Sequence, residues 1–478
     1  MTFEIKGYHY GVKNNNEFNA VIPDAVTEII FTDETKPKDT ATIDVDADGD
    51  GGVVAWLDDD AGTVMKVSTQ IPSVKVQAAK NSKCMFNYRD RLLKIDLKML
   101  DTQNVTDMSD MFYHCSGLKS LDLTPLDTQD VNEMYGMFSG CYGLTSLDLT
   151  PLNTQKVTNM ASMFSSCSGL TNLDLSPLDT KNVGNMNSMF FGCSGLTDLD
   201  LTPLDTQRVT GMHQMFSGCS GLINLDLTPL NTQKVTIMSE MFCGCSGLAS
   251  LDLSPLATSK VTDMRSMFYN CSGLKSLDLS PLNTQKVTTM SGMFRGCSSL
   301  TSLDLTPLNT QSVTKMDSMF RYCSGLTSLD LSPLDTSKVT NMDFMFCGCR
   351  GLTSLDLTPL ATSKVTSMSS MFYRCSGLTS LDLTPLDTQN VTDMYEMFRY
   401  CSGLTSLDLM SLDTQKVMNM SGMFSGCSGL ISLTTGTTFK FVDVGYGLSG
   451  TWQNTAGETF TSGKFPSNVA DTYTKISS

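Results

Sequence analysis

Met163-Phe164-Ser165-Ser166-Cys167-Ser168-Gly169-Leu170-Thr171-Asn172-Leu173-Asp174-Leu175-Ser176-Pro177-Leu178-Asp179-Thr180, followed by Val183 and Met186, is one copy of a unit that restarts at Met189-Phe190. The phrase recurs every 26 residues from residue 85 to about residue 434. Its register is marked by Cys115, Cys141, Cys167, Cys193, Cys219, Cys245, Cys271, Cys297, Cys323, Cys349, Cys375, Cys401 and Cys427, with no insertion or deletion between them. A constant period in the range of about 20–50 residues marks a solenoid. One unit alone buries too little apolar surface to offset its chain entropy, so it must stack on its neighbours. Function in such a chain is sought on a surface before a catalytic pocket.

Within the copy from 144 to 169, Leu144, Leu147 and Leu149 have the L-x-x-L-x-L spacing of a leucine-rich-repeat strand. Leu147 and Leu149 point inward, and Ser146, Asp148 and Thr150 alternate with them and point outward. Pro151 has no N–H to donate and ends the strand. Asn153-Thr154 follows as a turn pair that bonds its own backbone. Val157, Met160, Met163, Phe164 and Cys167 then mark one face of a short helix, capped by Thr158 and closed by Gly169 in a left-handed conformation. The predicted fold is an α/β solenoid of leucine-rich-repeat type. It has a parallel strand ladder, short helices on the opposite face and β-rich caps at both ends.

Three regions follow: a β-rich N-terminal cap at 1–84, a solenoid of about 13–14 units at 85–434, and a small β cap at 435–478. The first copy is degraded as a cap should be, with Arg89 in place of the cysteine and Ile95 in place of a leucine. Ahead of it, Val53–Leu57 and Val64–Ser68 flank Asp58-Asp59-Asp60-Ala61-Gly62 as a hairpin.

Because the copies keep register, each position is a column. The cysteine column reads as buried thiols acting as small hydrophobes. The two C-x-C pairs, at Cys243 and Cys347, stand four repeats apart and do not complete a zinc site. The methionine column reads as core filler. The aspartates at the strand centres place carboxylates roughly 5 Å apart, a repulsion of about 0.8 kcal/mol per neighbour in water. This outward polar face is the candidate binding face: Ser146, Asp148, Thr150, Asn172, Asp174, Asn224, Asp226, Asp252, Asp278, Asp304 and Asp330. The second residue of L-x-x-L (Lys119, Thr171, Ile223, Ala249, Lys275) varies and would tune specificity. A basic column (Lys156, Arg208, Lys234, Lys260 and equivalents) is expected to pair with the second acidic column at Asp127, Asp179 and Asp205. The threonine column, Thr102 through Thr414, reads as a structural turn bond. Asp46-Ala47-Asp48-Gly49-Asp50-Gly51 resembles the start of an EF-hand loop, but Leu57 stands at the twelfth position in place of Glu, so a turn is expected. No metal or cofactor is assigned.

The net charge of −16 argues against nucleic acid and anionic membranes as partners. No apolar run is long enough to span a bilayer, and no signal peptide or anchor is visible. His9, His114 and His213 share no repeat phase, and no nucleophile elbow, phosphate loop or metalloprotease motif is present, so no catalytic residues are assigned.

The consensus M-F-x-x-C-S-G-L-x-x-L-D-L-x-x-L-D-T-x-x-V-T-x-M resembles the 26-residue unit of BspA-like leucine-rich-repeat surface proteins of bacteria. The flanks Asp48–Leu57 and Trp452–Phe460 also resemble the segments bordering the array in such proteins. The resemblance implies display at the cell surface and non-catalytic adhesion to a protein or glycan of a host or neighbouring cell. The other reading is a structural spacer or phage/virion component with no dedicated ligand. A local break in the uniform repeat would separate the two.

Overall fold

In the computed structural model, residues 2–442 and 444–477 are described. They form two compact units, Met1–Val235 and Thr236–Ser478.

The first unit opens with helix α1 (Glu17–Val21), capped by the Asn16 side chain, which accepts the Asn19 N–H at 3.0 Å. Seven short strands follow: β1 (Glu28–Phe31), β2 (Ile43–Asp44), β3 (Val54–Leu57), β4 (Val64–Ser68), β5 (Val76–Gln77), β6 (Lys94–Asp96) and β7 (Leu100–Asp101). β3 and β4 are the antiparallel hairpin expected from the sequence. The sheet order is β2-β3-β4-β1-β6, with β1 parallel to both β4 and β6. β6 carries Ile95 of the degraded first copy, so this sheet continues into the repeats. Arg89, on the site of the missing cysteine, is only 6% exposed. Its Nε donates to Asn19 Oδ1 at 2.7 Å and its Nη1 to the Ile22 carbonyl at 3.0 Å. The first rung thus exchanges a thiol for a guanidinium that ties α1 to the coils.

The second unit ends in β8 (Ser406–Asp408), β9 (Ser432–Thr435), β10 (Thr451–Gln453), β11 (Thr459–Phe460) and β12 (Asp471–Ser477), in sheet order β11-β10-β12-β9-β8. β8 and β9 are parallel strands of the last repeats, and β12 runs antiparallel to β9. Trp452 and Tyr473 pack around Phe465 beneath it.

Between these sheets the expected helices are absent: among the described residues no helix lies within 85–434. The Met-x-x-Met-Phe-x-x-Cys segment is a chain of turns. In one copy, Met163 N–H donates to the Met160 carbonyl at 3.2 Å and Cys167 N–H to Phe164 at 3.1 Å. The intervening donors leave the coil: Ser162 N–H reaches the Asn187 carbonyl at 2.8 Å and Phe164 N–H reaches Met189 at 3.0 Å. Ser162 and Ser166 have φ of 57° and 59°. A left-handed residue every fourth position breaks an α-helix, and it suits turns that need positive φ at their third residue. Successive tight turns also bury every third or fourth side chain, which is why the apolar spacing imitates a helix.

The coil-to-coil pairing also differs from expectation. Most leucine segments are extended with alternating burial but do not form continuous strands. Parallel bridges run instead through Asn81, Asp107, Glu133, Asn159, Asn185 and Gly211 in the first unit, and through Ile237, Asp263, Thr289 and Lys315 in the second. The phenylalanines behind them stack, with Phe138–Phe164 and Phe268–Phe294 centroids both at 5.9 Å.

Gly169 is not left-handed. A Cβ there would lie 2.5 Å from the carbonyl oxygens of Leu144 and Tyr142, so glycine at 169 permits close approach to the preceding coil; Ser299 is the one residue of this column, from 117 to 429, that is not glycine. Thr158 caps no helix; its hydroxyl lies 3.3 Å from the Asn132 carbonyl one coil back. The threonine column is structural, but across coils: Thr180 Oγ1 donates to the Asp205 carbonyl at 3.0 Å and accepts the Asp205 N–H at 2.7 Å.

Two outcomes follow. Thr180→Val keeps the shape but strands a part-buried N–H and carbonyl of Asp205, and is expected to cost about 1 kcal/mol in urea unfolding followed by circular dichroism. Asp110 sits at a left-handed position, where burial pushes its carboxyl up to about 6 from the ordinary 3.8, opposed by Lys83 at 3.9 Å. The folded state holds this proton more tightly than the unfolded chain, so its contribution to stability falls as pH rises between those two values and is lost above them. Asp110→Asn is therefore expected to raise the melting temperature at about pH 7 and to change it little at about pH 4.

Candidate binding surface

The leucine segments present the expected face. Ser146, Asp148 and Thr150 are exposed while Leu147 and Leu149 are buried, and Asn172, Asp174, Asn224, Asp226, Asp252, Asp278, Asp304 and Asp330 are exposed likewise. The varied positions Lys119, Thr171, Ile223, Ala249 and Lys275 also face solvent.

The aspartates have a structural task as well. Asp148 Oδ1 accepts the N–H of Thr150 at 2.9 Å, and the same bond forms from Ser176 to Asp174 and from Thr228 to Asp226 at 2.9 Å. Each bond fixes the bend at the proline that ends the segment. Donation from the residue two positions on holds the carboxyls of Asp174, Asp252, Asp278 and Asp330 below their ordinary value.

Among the described residues no ion pair joins the basic column to the second acidic column, though the charge of Lys338 helps to lower the Asp335 carboxyl. Lys156 reaches back one coil to Asp130 at 2.6 Å, and Arg208 does the same to Asn182 Oδ1 at 2.9 Å. Equivalent positions in neighbouring coils are nearer than the next column round the coil. Asp127 and Asp205 instead accept the N–H of Gln129 and Gln207, at 3.1 and 3.0 Å.

All sixteen cysteines are thiols, and all but Cys243 are buried. Each in-phase thiol faces the preceding coil, as where Cys141 Sγ lies 3.1 Å from the Phe112 carbonyl. Burial pushes Cys141, Cys193 and Cys297 up to about 12. The methionine column is fully buried.

Constancy marks the columns that hold coils together. The copies differ at the two residues between Phe and Cys. The first unit places Tyr113-His114, Ser139-Gly140, Ser165-Ser166, Phe191-Gly192 and Ser217-Gly218 there, with no arginine. The second places arginine there in four copies, Arg295-Gly296, Arg321-Tyr322, Tyr373-Arg374 and Arg399-Tyr400, beside Cys243-Gly244, Tyr269-Asn270, Cys347-Gly348 and Ser425-Gly426. The Arg295 guanidinium lies 4.8 Å from the Tyr269 ring centroid, and Arg321 lies 4.3 Å from that of Phe344 and 5.0 Å from that of Tyr322. Arg374 sits 5.3 Å from both Tyr373 and Tyr400. Arg399 is paired with Glu396. Among the described residues, no carboxylate is within ion-pair distance of Arg295, Arg321, Arg350 or Arg374. The buried Nε atoms of Arg295, Arg321 and Arg399 have no hydrogen-bond partner. A shallow groove of about 510 Å³ passes along Ser246, Ser272, Ser298 and Ser324, and Tyr322 and Arg350 also line it. These residues were legible in the sequence only as departures from the consensus, and a reading by constant columns passes over them.

The described residues contain no helix long and apolar enough to cross a membrane. His9 lies against Glu17 at 2.5 Å, and the His114 ring stacks on Tyr88 at 5.3 Å.

These coils define a leucine-rich-repeat-like protein. The family described as "Mycoplasma protein of unknown function, DUF285" matches residues 80–199, 142–251, 192–278, 272–357 and 345–437 in overlapping windows, and the chain belongs to it. A leucine-rich repeat protein from Bacteroides ovatus is similar at 19% identity and a TM-score of 0.41, covering 71% of this chain and 76% of that one. A leucine-rich cell surface protein from Faecalibacterium prausnitzii is similar at 16% identity and a TM-score of 0.34, over 74% and 87%. The functional domain of InlJ from Listeria monocytogenes, described as including a cysteine ladder, is similar at 15% identity and a TM-score of 0.31, over 81% and 78%. No curated protein matches the chain.

The cysteine column yields a chemical outcome. In the folded protein, a thiol reagent is expected to modify Cys243 first, and the buried thiols only on unfolding. Labelling followed by peptide mass spectrometry checks the order, and rapid native modification of Cys141 or Cys193 would contradict it.

Proposed function

We propose that this protein is a non-enzymatic, protein-binding adhesion module displayed at a bacterial surface. A solenoid over 85–434 presents the binding surface, and the β-rich segments 1–84 and 435–478 cap it. The carrying observation is the local break in the repeat: arginines stacked on aromatic rings, three of them (Arg295, Arg321 and Arg374) without a carboxylate partner among the described residues, on a chain of net charge −16. A pure spacer has no need of such a patch. Arg and Tyr are enriched at binding hot spots, and a guanidinium held over a ring loses less freedom when it meets a carboxylate. The fitting partner is an acidic segment of a host or neighbouring-cell protein, engaged by Arg–carboxylate forks. The exposed serine, aspartate and threonine rows of the leucine face give a second, polar contact surface, and contacts repeated coil after coil add through multivalency.

The test compares three full-length proteins on a protein and glycan array and on immobilised poly-glutamate: wild type, R295A/R321A/R374A, and D278K/D304K/D330K. The arginine variant is expected to bind roughly tenfold or more weakly, with an unchanged circular dichroism spectrum and a lost salt dependence. Loss only in the aspartate variant would move the site to the leucine face. Equal binding by all three proteins, or none by any, would favour the spacer.

A further inference from the structure

A second feature lies far in sequence from the arginine patch, where the first unit begins. Asp46-Ala47-Asp48-Gly49-Asp50-Gly51 forms the expected turn, with Gly49 and Gly51 at φ of 72° and 81°. The turn also gathers its carboxylates: one oxygen from each of Asp46, Asp48 and Asp50 lies within 4.8 Å of the others. Acidic groups in such a loop often face water and need no ion. Asp46 does not face water, being only 3% exposed. Its Oδ2 accepts the Gly51 N–H at 2.7 Å, while its Oδ1 is buried with no hydrogen-bond partner. A buried carboxylate oxygen without a partner carries a desolvation penalty that a second, like-charged carboxylate nearby increases. A hard cation removes both penalties at once.

We propose that Asp46, Asp48 and Asp50 bind a divalent cation, with Ca²⁺ as the fitting ion. All the donors are carboxylate oxygens, which suits a hard ion and excludes a zinc preference for nitrogen or sulfur. Ligands about 2.3–2.6 Å from Ca²⁺ stand up to about 5 Å apart across it, which matches the cluster. Asp48 and Asp50 are exposed, so water completes the coordination sphere on that side. Their oxygens are already aimed: the Thr2 hydroxyl donates to Asp48 Oδ2 at 2.7 Å, and the Thr2 N–H donates to Asp50 Oδ2 at 3.2 Å. Asp48 Oδ1 accepts the Asp50 N–H at 3.1 Å, and Asp50 Oδ1 accepts the Gly52 N–H at 2.9 Å.

The site joins two pieces of chain. Ile5 forms an antiparallel bridge to Asp46, and Ala47 N–H donates to the Glu4 carbonyl at 3.0 Å. Ile43–Asp44, just before the loop, is the edge strand of the N-terminal sheet. An ion here pins the start of the chain to that edge, so its role is to stabilise the end of the first unit. The site differs from an EF-hand loop, because Leu57 occupies the place of the twelfth-position glutamate and no helix flanks the loop.

The test uses the full chain, stripped with a chelator and titrated with CaCl₂, MgCl₂ or MnCl₂ by calorimetry, with melting followed by circular dichroism. Wild type is expected to bind one Ca²⁺ and to melt higher with Ca²⁺ than with the chelator, with a smaller response to Mg²⁺. Asp46→Asn and Asp48→Asn are expected to weaken Ca²⁺ binding roughly tenfold or more. Asp48 is exposed, so its variant reports on the ion even if Asp46→Asn fails to fold. Asp122→Asn, in an ordinary turn of the repeat, should leave binding unchanged. No heat and no melting shift with any of the three ions in folded wild type would overturn the site. Full Ca²⁺ binding by Asp48→Asn would do the same.

Discussion

The architecture depends on where the backbone N–H groups of the turn chain go. In each copy, alternate donors close turns within the coil, and the donors between them reach carbonyls one coil ahead. Ser162 to Asn187 and Phe164 to Met189 are one such pair. Every turn therefore fixes both its own shape and its neighbour's position. The buried threonines do the same on another side, each donating to and accepting from a residue 25 positions on. With coils this close a Cβ at Gly169 would press on the carbonyl oxygens of Leu144 and Tyr142. The register is enforced because one inserted residue would misalign all these bonds together.

This constraint separates the columns by role. Glycine, threonine, cysteine, methionine and phenylalanine recur with few exceptions, Arg89 and Ser299 among them, because each meets the same group on a neighbouring coil. The central aspartates are uniform because each accepts the N–H two residues on and so holds the bend that ends its segment, at a proline in most copies. The two residues between Phe and Cys keep the coil-to-coil backbone bond, as where Gly140 N–H reaches the Ser165 carbonyl and Arg374 N–H that of Arg399, but their side chains vary. There arginine enters in four copies of the second unit, at Arg295, Arg321, Arg374 and Arg399. Variation within a uniform array therefore points toward recognition, and the aspartate face, although exposed, is partly committed to the fold.

Several features were legible in the residues alone. The alternation of Leu147 and Leu149 with Ser146, Asp148 and Thr150 gave the inside and outside of the leucine segment, and the in-phase cysteines read correctly as buried thiols. The hairpin around Asp58–Gly62 was also clear. Spacing misled at Val157–Cys167, because a chain of turns with left-handed Ser162 and Ser166 buries side chains at the same intervals as a helix. Lys156 was matched to the wrong acidic column because spacing within one coil says nothing of the shorter path to the coil before. Asp46–Gly51 was read as a turn, which it is, but its sequence does not tell that Asp46 is buried with one oxygen unpartnered.

By itself the sequence determined the repeat length, the register and which side chains form the core, since these follow from periodicity and hydrophobicity along the chain. Only the tertiary structure decided which backbone groups bond between coils, that the turn segment is not helical, and that arginines from different copies meet aromatic rings. Those facts depend on residues 25 or 26 positions apart becoming neighbours, and that distance closes only when the coils stack.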